Sequence, residues 1–170
     1  DYPRPSSLQF RGSSYSFQID EEQTRLLRDY TRENGATLFM TLISIYFILL
    51  NRYSRQEDIV IGTGIMGRPN PELQDIIGMF VNSLAIRGQV LPEVSFDTFF
   101  KKIKEQCINA FDNQDLQFEE LVDILQPRRE PSRNPLFDAL IVVQNFQQGK
   151  RSLKDVTIEN LPFENNTSKF

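Results

Sequence analysis

Three glycines in the segment IVIGTGIMGRPN, residues 59–70, have the spacing of a loop that binds the phosphates of a dinucleotide. Gly62, Gly64 and Gly67 follow the pattern G-x-G-x-x-G directly after a β-branched run. In a nucleotide-binding fold, this loop brings backbone N–H groups to a pyrophosphate at the start of the next helix. Here Pro71 stands where that helix would run, and a proline inside a helix removes a hydrogen bond and clashes with the preceding turn. We therefore predict an irregular loop whose glycines permit positive φ or close backbone approach.

The absence of histidine restricts the chemistry that this chain can perform. With no imidazole among its 170 residues, it has no Ser/His or Cys/His nucleophile pair and no histidine-ligated zinc. Carboxylates can still move protons, but the adjacent Glu119 and Glu120 point about a third of a turn apart on a predicted helix and are rejected as an acid–base pair. The single cysteine, Cys107, lies on an apolar stripe, which favours an inert core thiol.

The composition is typical of one soluble globular domain. The chain is 39% apolar and 25% charged, and its net charge of −4 gives no electrostatic footprint for nucleic acid. The longest apolar run, residues 38–50, is too short to span a bilayer. The first residue is aspartate and the last is an aromatic residue, so we expect both ends to be cuts through a longer polypeptide.

Hydrophobic periodicity predicts helices alternating with strands, a mixed α/β order. The helices are predicted at 21–34, 37–55, from Ser95 to about Phe111, and 117–125, with a short helical turn at 72–80. The strands are predicted at 14–20, 58–66, 81–90, 136–146 and 155–163. Asp20, Ser95 and Asp115 are candidate caps for the helices that follow them. The helix over 37–55 is apolar nearly all round until Asn51, which predicts burial on several sides.

Four segments of the chain follow one another with natural spacing. They are IVIGTGIMGR (59–68), IIGMFVNSLAIR (76–87), FDNQDLQFEELVDIL (111–125) and PSRNPLFDALIVVQNF (131–146). Together they resemble the C-terminal lobe of the condensation domains of nonribosomal peptide synthetases. Residues 1–20, residues 35–62 and the final Ser-Lys-Phe are similar to the same family, so the resemblance covers almost the whole chain.

The resemblance implies an α+β sandwich, in which a mixed β-sheet with packed helices forms one lobe of a chloramphenicol acetyltransferase-like fold. Condensation domains have two such lobes with a tunnel between them. In the tunnel, the amine of a carrier-bound acceptor attacks the thioester of a carrier-bound donor, and a peptide bond forms. The family's His-His-x-x-x-Asp-Gly motif lies in the N-terminal lobe and is absent here. Residues 1–170 are therefore expected to be the C-terminal lobe, truncated at both ends and inactive alone.

Four residues are expected to line the substrate tunnel. Asn82 is expected to face the substrate, because the family places this asparagine near the active centre and its amide can donate and accept hydrogen bonds. The alternative is a strand-end asparagine that satisfies local backbone groups. Gly62, Gly67 and Arg68 are expected to form the loop that floors the tunnel and crosses toward the other lobe. The alternative for that loop is an ordinary surface turn.

A proline-bracketed loop before the predicted strand 136–146 holds a second group of candidates. Ser132, Arg133 and Asn134 are predicted to fix its shape through hydrogen bonds from side chain to backbone. Arg133, with its neighbours Arg128 and Arg129, could instead bind a phosphate or an acidic carrier domain, since guanidinium groups match phosphate oxygens. Arginines in a loop are more often simply solvated.

The resemblance also implies partners rather than a cofactor bound directly. Substrates would be carried on the phosphopantetheine arms of peptidyl carrier domains, beside adenylation domains of the same synthetase. The missing N-terminal lobe would complete the tunnel, and the apolar face that met it should lead the chain to form a homodimer or to pair through an open sheet edge. Neither nucleic acid, membrane nor metal is indicated. The absence of a secretory signal favours the cytoplasm.

The chain departs from the family pattern at positions that shape the tunnel floor. Gly64 replaces a proline, Met66 an alanine, Ser83 a threonine, Asn113 a histidine and Gln117 a proline. These departures leave open whether the domain condenses, epimerises or cyclises, and the amino acids that are joined stay undetermined. Two other functions also stay open. One is a non-catalytic module that docks carrier domains, and the other is an acyltransferase of the same fold that uses soluble acyl thioesters.

Overall fold

The computed structural model describes residues 5–7, 9–68, 70–128, 130–144 and 167. The helices are α1 (Glu21–Glu33), α2 (Leu38–Ser54), α3 (Phe96–Asp112) and α4 (Phe118–Leu125), and a 3₁₀ turn covers Pro71–Leu73. The strands are β1 (Asp58–Ile65), β2 (Asn82–Gln89) and β3 (Ala139–Leu140). The mixed α/β class predicted from the sequence is confirmed. The predicted strand 155–163 lies outside the described residues.

Local capping determines where the helices begin. The Asp20 carboxylate accepts a hydrogen bond from Gln23 N–H at 2.7 Å, as the sequence predicts for the start of α1. The prediction that Asp115 caps α4 is wrong. The cap is Gln117, whose own N–H donates to the Glu120 carboxylate at 3.4 Å in a capping-box arrangement.

β1 is the central strand of the described sheet, with β2 on one side and β3 on the other. β1 and β2 are antiparallel, and their register runs from Asp58 opposite Gln89 to Ile65 opposite Asn82. β3 runs parallel to β1. The end of β1 and the start of β2 therefore lie side by side, and the connecting loop 66–81 leaves the sheet at that point.

The hydrophobic core lies where α2 and α3 pack against β1 and β2. From the helices it contains Met40, Ile43, Phe47, Phe99, Phe100, Ile103 and Cys107, and from the strands Ile59, Ile61, Leu84 and Ile86. The rings of Phe47 and Phe99 meet edge to face, with their centroids 6.2 Å apart. Complete burial of one such ring stabilises a fold by about 2–3 kcal/mol, so each fully buried ring of this layer contributes substantially to stability.

The predicted strand 14–20 is wrong, because the described residues of this segment form no strand. Tyr15 and Phe17 are 89% and 73% exposed, and their rings stack on each other at 6.3 Å. Alternation of polar and apolar residues provides one apolar face, but a strand also needs a partner whose backbone completes the ladder. Close to this segment, the described bridge joins Arg11 to Thr167.

Two other elements are shorter than predicted. Of the predicted strand 136–146, β3 pairs with β1 only over Ala139–Leu140, and residues 145–146 lie outside the described part. Of the helical turn predicted at 72–80, the structure contains the 3₁₀ turn Pro71–Leu73, and the rest is irregular. Glycine at position 78 disfavours helix, which is consistent with the early end of the turn.

Helix α2 is less covered than its composition predicts. Ile43 and Phe47 are fully buried, whereas Ile45 and Leu49 are 40% and 47% exposed. Burial on several sides is therefore only partly found among the described residues. Within that part of the chain no helix alone is long and apolar enough to cross a bilayer; α1 and α2 meet that criterion only as a pair, with a bend of 110° between them.

Cys107 provides a test of the core. The residue is completely buried, and burial raises the pKa of its thiol from 9.0 to about 11. The folded state thus keeps the proton to higher pH than the unfolded chain, so the thiol's contribution to stability is present below pH 9 and is lost as the pH rises through 11. We expect urea midpoints to fall over this range, and to fall less in Cys107→Ala. The other titratable groups are the same in both proteins, so an identical fall in the two would contradict the prediction.

Candidate functional site

The predicted tunnel residues lie around the point where loop 66–81 leaves the sheet. Gly67 and Arg68 follow the end of β1, and Asn82 is the first residue of β2, opposite Ile65. Gly62 lies within β1. Antiparallel pairing thus brings residues that are distant in sequence to one end of the hairpin.

Arg68 holds the loop together from within. Its guanidinium donates hydrogen bonds to the carbonyl oxygens of Leu73, Gln74 and Gly78, the latter two at 3.2 Å. The guanidinium carbon also lies 4.3 Å from the centroid of the Phe80 ring, a cation–π contact. A planar group with five donors can bind several carbonyl groups of one loop at once. The half-buried Arg68 therefore adds three side-chain hydrogen bonds to the backbone hydrogen bonds that the N–H groups of Leu73, Gln74 and Ile76 form within the loop.

Gly67 is required by its backbone conformation and by its surroundings. Its φ is +60°, and a Cβ atom at this position would lie 1.8 Å from the carbonyl oxygen of Phe80. Only glycine fits such a position without a shift of the backbone. The irregular loop predicted from the sequence is confirmed, since the described residues after the glycines form a 3₁₀ turn and not the α-helix that a phosphate-binding loop requires.

Gly62 is required by a close side-chain contact instead. A Cβ atom there would lie 2.3 Å from the ring of the buried Phe137. That ring in turn packs against the ring of Phe118 at the start of α4, with 5.5 Å between centroids. At Gly64 an added Cβ would meet no atom within 4 Å. The glycine pattern therefore arises from packing at two of its three positions.

Asn82 is buried at the start of β2, with a relative exposure of 5%. Its Nδ2 donates to the carbonyl oxygens of Gln114 at 3.0 Å and Leu116 at 2.9 Å. Its Oδ1 accepts from the N–H groups of Ser83 at 2.8 Å and Phe118 at 3.1 Å. The side-chain amide therefore joins β2 to the turn between α3 and α4. A substrate-facing role for Asn82 stays a prediction.

Arg133 forms two ion pairs in the loop that contains the candidates Ser132, Arg133 and Asn134. Arg133 lies 3.3 Å from a carboxylate oxygen of Glu130 and 3.3 Å from one of Asp138, and its backbone N–H donates to the Glu130 carbonyl oxygen at 3.0 Å. Ser132 and Asn134 are half-buried beside it. Half-exposed ion pairs stabilise weakly, so the loop-structuring role of these three residues stays a prediction.

This loop borders a depression of about 840 Å³ between α2 and β1. Arg128, Arg133 and Asn134 line it, together with Asp58 of β1. Two hydrogen bonds from Arg87, at 2.8 and 2.6 Å, hold the pKa of the Asp58 carboxyl below its usual value. None of the four predicted tunnel residues lines this depression. The described residues also contain no group of three potential metal ligands.

Loop 66–81 exposes several large apolar side chains, which we call the apolar loop surface. Its members are Met66, Ile76, Ile77, Met79 and Val81. Ile77 and Met79 are almost completely exposed. A loop that is held from within yet exposes such side chains has the properties of an interaction surface. The sequence predicted apolar area on the surface of this chain but not which residues provide it.

The family is decided by comparison with known proteins. A family model described as a condensation domain matches residues 1–170. This chain belongs to the condensation-domain family. The match covers the entire chain, which includes the hairpin, loop 66–81 and the Asn82 contacts.

Relatives of this condensation-domain chain are large synthases. A plipastatin synthase of Bacillus subtilis (strain 168) is 43% identical over 170 residues, which are 100% of this chain and 5% of that protein. Bacitracin synthase 3 of Bacillus licheniformis is 42% identical over 170 residues, or 100% of this chain and 3% of that protein. A crystallised four-domain nonribosomal peptide synthetase bound to AMP and glycine has a TM-score of 0.79 and 31% identity, and the match covers 82% of this chain and 11% of that one. The chain thus spans a small part of each.

Sequence reasoning missed the aromatic contact that covers β1 of this condensation-domain chain. Phe118 and Phe137 belong to two different motifs, and each is typical of an ordinary core position. Only the pairing of β3 with β1 brings Phe137 onto Gly62. The available signal was a glycine inside a buried strand, which often marks the close approach of another group.

Two glycine variants test this contact. Gly62→Ala should force the Phe137 ring to move and cost about 1–3 kcal/mol of unfolding free energy. Gly64→Ala, two residues away in the same strand, meets no neighbour and should change it by less than about 0.5 kcal/mol. Urea unfolding of the three proteins measures both values. Equal effects of the two substitutions would show that the Phe137 contact is not the reason for glycine at position 62.

Proposed function

We propose that residues 1–170 are the C-terminal lobe of a condensation domain that forms peptide bonds in nonribosomal peptide synthesis. The observation that carries this proposal is the condensation-domain match over the whole chain. Identity of 43% and 42% to two peptide synthases supports it. The chain's share of these proteins is small, as expected for one lobe of one domain among many.

In the proposed reaction, the amine nitrogen of a carrier-bound acceptor attacks the carbonyl carbon of a donor thioester. A C–N bond forms, the C–S bond breaks, and the amine proton is transferred so that the donor arm leaves as a thiol. A general base assists this transfer most effectively with a pKa near neutral. This chain has no histidine, so in the proposal the imidazole comes from the other lobe and this lobe supplies the wall and floor of the tunnel.

Loop 66–81 is the proposed floor. The Arg68 hydrogen bonds and the conformation of Gly67 hold it in one shape, which lowers the entropy cost of ordering it on contact with a partner. The apolar loop surface is proposed to pack against the N-terminal lobe. Gly62, Gly67, Arg68 and Asn82 then act on the tunnel by shaping this end of the sheet.

Partners and location follow from the same proposal. Peptidyl carrier domains would present both substrates on phosphopantetheine arms, and adenylation domains of the same synthetase would load them. The chain itself is proposed to hold no cofactor and to work in the cytoplasm. Similarity to a plipastatin synthase, to bacitracin synthase 3 and to a four-domain nonribosomal peptide synthetase supports the carrier and adenylation partners.

The proposal predicts that activity requires both lobes. The chain alone, mixed with aminoacyl- and peptidyl-loaded carrier proteins, should release no product above background, because it lacks the imidazole base. Joined to an N-terminal lobe that bears His-His-x-x-x-Asp-Gly, it should form the peptide, as detected by mass spectrometry of the released product. Product from the chain alone, or none from the joined lobes, would contradict the proposal.

The apolar loop surface predicts a point of contact between the lobes. Ile77→Asp places a charge in the proposed interface and should weaken binding of a separately produced N-terminal lobe at least tenfold, or about 1.4 kcal/mol. It should also reduce the self-association expected of the isolated chain in gel filtration. The control is Tyr53→Asp, another strongly exposed position, which lies in the last turn of α2 and outside the apolar loop surface. Equal affinity of Ile77→Asp and the unchanged chain in calorimetry would rule out this surface as the interface.

A further inference from the structure

We propose that Asn82 is a positioning residue, which locks the base of loop 66–81 to the turn between α3 and α4 without itself binding the substrate. This inference rests on the proposed function, because the position of loop 66–81 matters there for the shape of the tunnel. It differs from the sequence-based expectation that the Asn82 amide faces the substrate.

The hydrogen bonds of Asn82 carry the inference. A primary amide has two donor hydrogens and one oxygen with two lone pairs. Both hydrogens bind carbonyl oxygens, of Gln114 and Leu116, and the oxygen accepts from two N–H groups, of Ser83 and Phe118. A substrate amide would have to displace one of these bonds and leave a buried backbone group without its partner. That exchange is unfavourable, since an unsatisfied buried group costs more than a hydrogen bond contributes.

The location of Asn82 explains what these bonds hold together. Asn82 lies opposite Ile65, at the point where loop 66–81 both leaves and rejoins the sheet. The bonded groups of the turn lie 32 to 36 residues further along the chain. A side chain that binds three backbone groups at this separation fixes one element against another, whereas a cap or a local turn fixes only its own segment.

The bond from Phe118 extends the effect to the other side of the sheet. Its N–H belongs to the first residue of α4, so Asn82 fixes the first turn of that helix against β2, while Gln117 caps the helix. The Phe118 ring packs on Phe137, and Phe137 covers Gly62. Asn82 and Gly62, both predicted from sequence as tunnel residues, are thereby joined through α4. Loss of the Asn82 amide should therefore shift the backbone at position 82 and at Gly62.

The N–H of Phe118 can be removed without losing the helix. Proline is well tolerated at the first position of a helix, where its fixed φ suits the backbone. Gln117 before it is extended, with φ −69° and ψ 147°, as a residue before proline prefers. Phe118→Pro and Phe118→Ala both lose the ring, but only the proline variant loses the N–H. The difference between the two isolates the hydrogen bond to Asn82.

The experiment is a double-mutant cycle in the full synthetase that contains this chain. The rate of peptide-bond formation and the KM for the acceptor-loaded carrier are measured for Phe118→Pro and Phe118→Ala, each with Asn82 and with Asn82→Ala. The assay temperature is kept well below the unfolding temperature of every variant. We expect Asn82→Ala to lower kcat with little change in KM. When Asn82 is present, Phe118→Pro should have a kcat about 3- to 10-fold below that of Phe118→Ala. In the Asn82→Ala background, the two Phe118 variants should have the same kcat.

The matched control is Asn51→Ala. The Asn51 amide also donates to a backbone carbonyl oxygen, that of Gln56, at 2.8 Å, but at the opposite end of β1. It should leave kcat within about twofold. If Asn82→Ala does not fold, Asn82→Leu serves instead, because leucine has the same branched shape and forms none of the four hydrogen bonds.

Several outcomes would overturn the inference. If kcat still differed between Phe118→Pro and Phe118→Ala in the Asn82→Ala background, the Asn82 amide and the Phe118 N–H would act independently. A rise in KM on loss of Asn82, with no effect of Phe118→Pro, would indicate direct contact with the acceptor. Lower stability with unchanged kcat would indicate a role in folding alone.

If the proposed function itself is wrong, the experiment gives a result that differs from all of these. A synthetase with the unchanged chain would then form no peptide bond, and the cycle would be measured by amide hydrogen exchange and urea unfolding. Loss of protection at the Phe118 N–H in Asn82→Ala would still support the positioning role. Unchanged protection there would contradict it.

Discussion

The antiparallel pairing of β1 with β2 is the interaction on which the other features depend. Its register sets Ile65 opposite Asn82, so loop 66–81 must leave and rejoin the sheet at adjacent points. A loop of this length, with one 3₁₀ turn among its described residues, has many backbone groups to satisfy. Arg68 satisfies three of them from inside the loop. The loop thereby keeps one shape while its apolar side chains stay exposed.

Packing also accounts for the glycines that resemble a phosphate-binding loop. Gly67 has a positive φ beside the Phe80 carbonyl group, and Gly62 lies beneath the Phe137 ring. These are two separate steric reasons, one in the backbone and one in a side-chain contact. Their combination produces a spacing that matches a nucleotide motif without its chemistry. A motif of this kind is meaningful only together with the helix that should follow it.

The chemical composition and the surface of the chain are consistent with half of a cleft. The chain lacks histidine but exposes a group of large apolar side chains on loop 66–81. Such side chains are costly to leave in water, and their burial against a partner contributes about 25 cal/mol per Å². In the proposed function, this lobe contributes shape and a docking surface, and the other lobe contributes the acid–base group.

The sequence alone was sufficient for the family, the fold class and most helix boundaries. The caps at Asp20 and Ser95 could be predicted because a capping bond spans three residues and depends only on local sequence. The strand expected at 14–20 was wrong because alternation does not specify a partner. The contacts of Asn82 and of Gly62 were decided by the tertiary structure, since both depend on strand register and on helix position. Such contacts join segments far apart in the chain, and their energies become defined only when the sheet and helices are assembled.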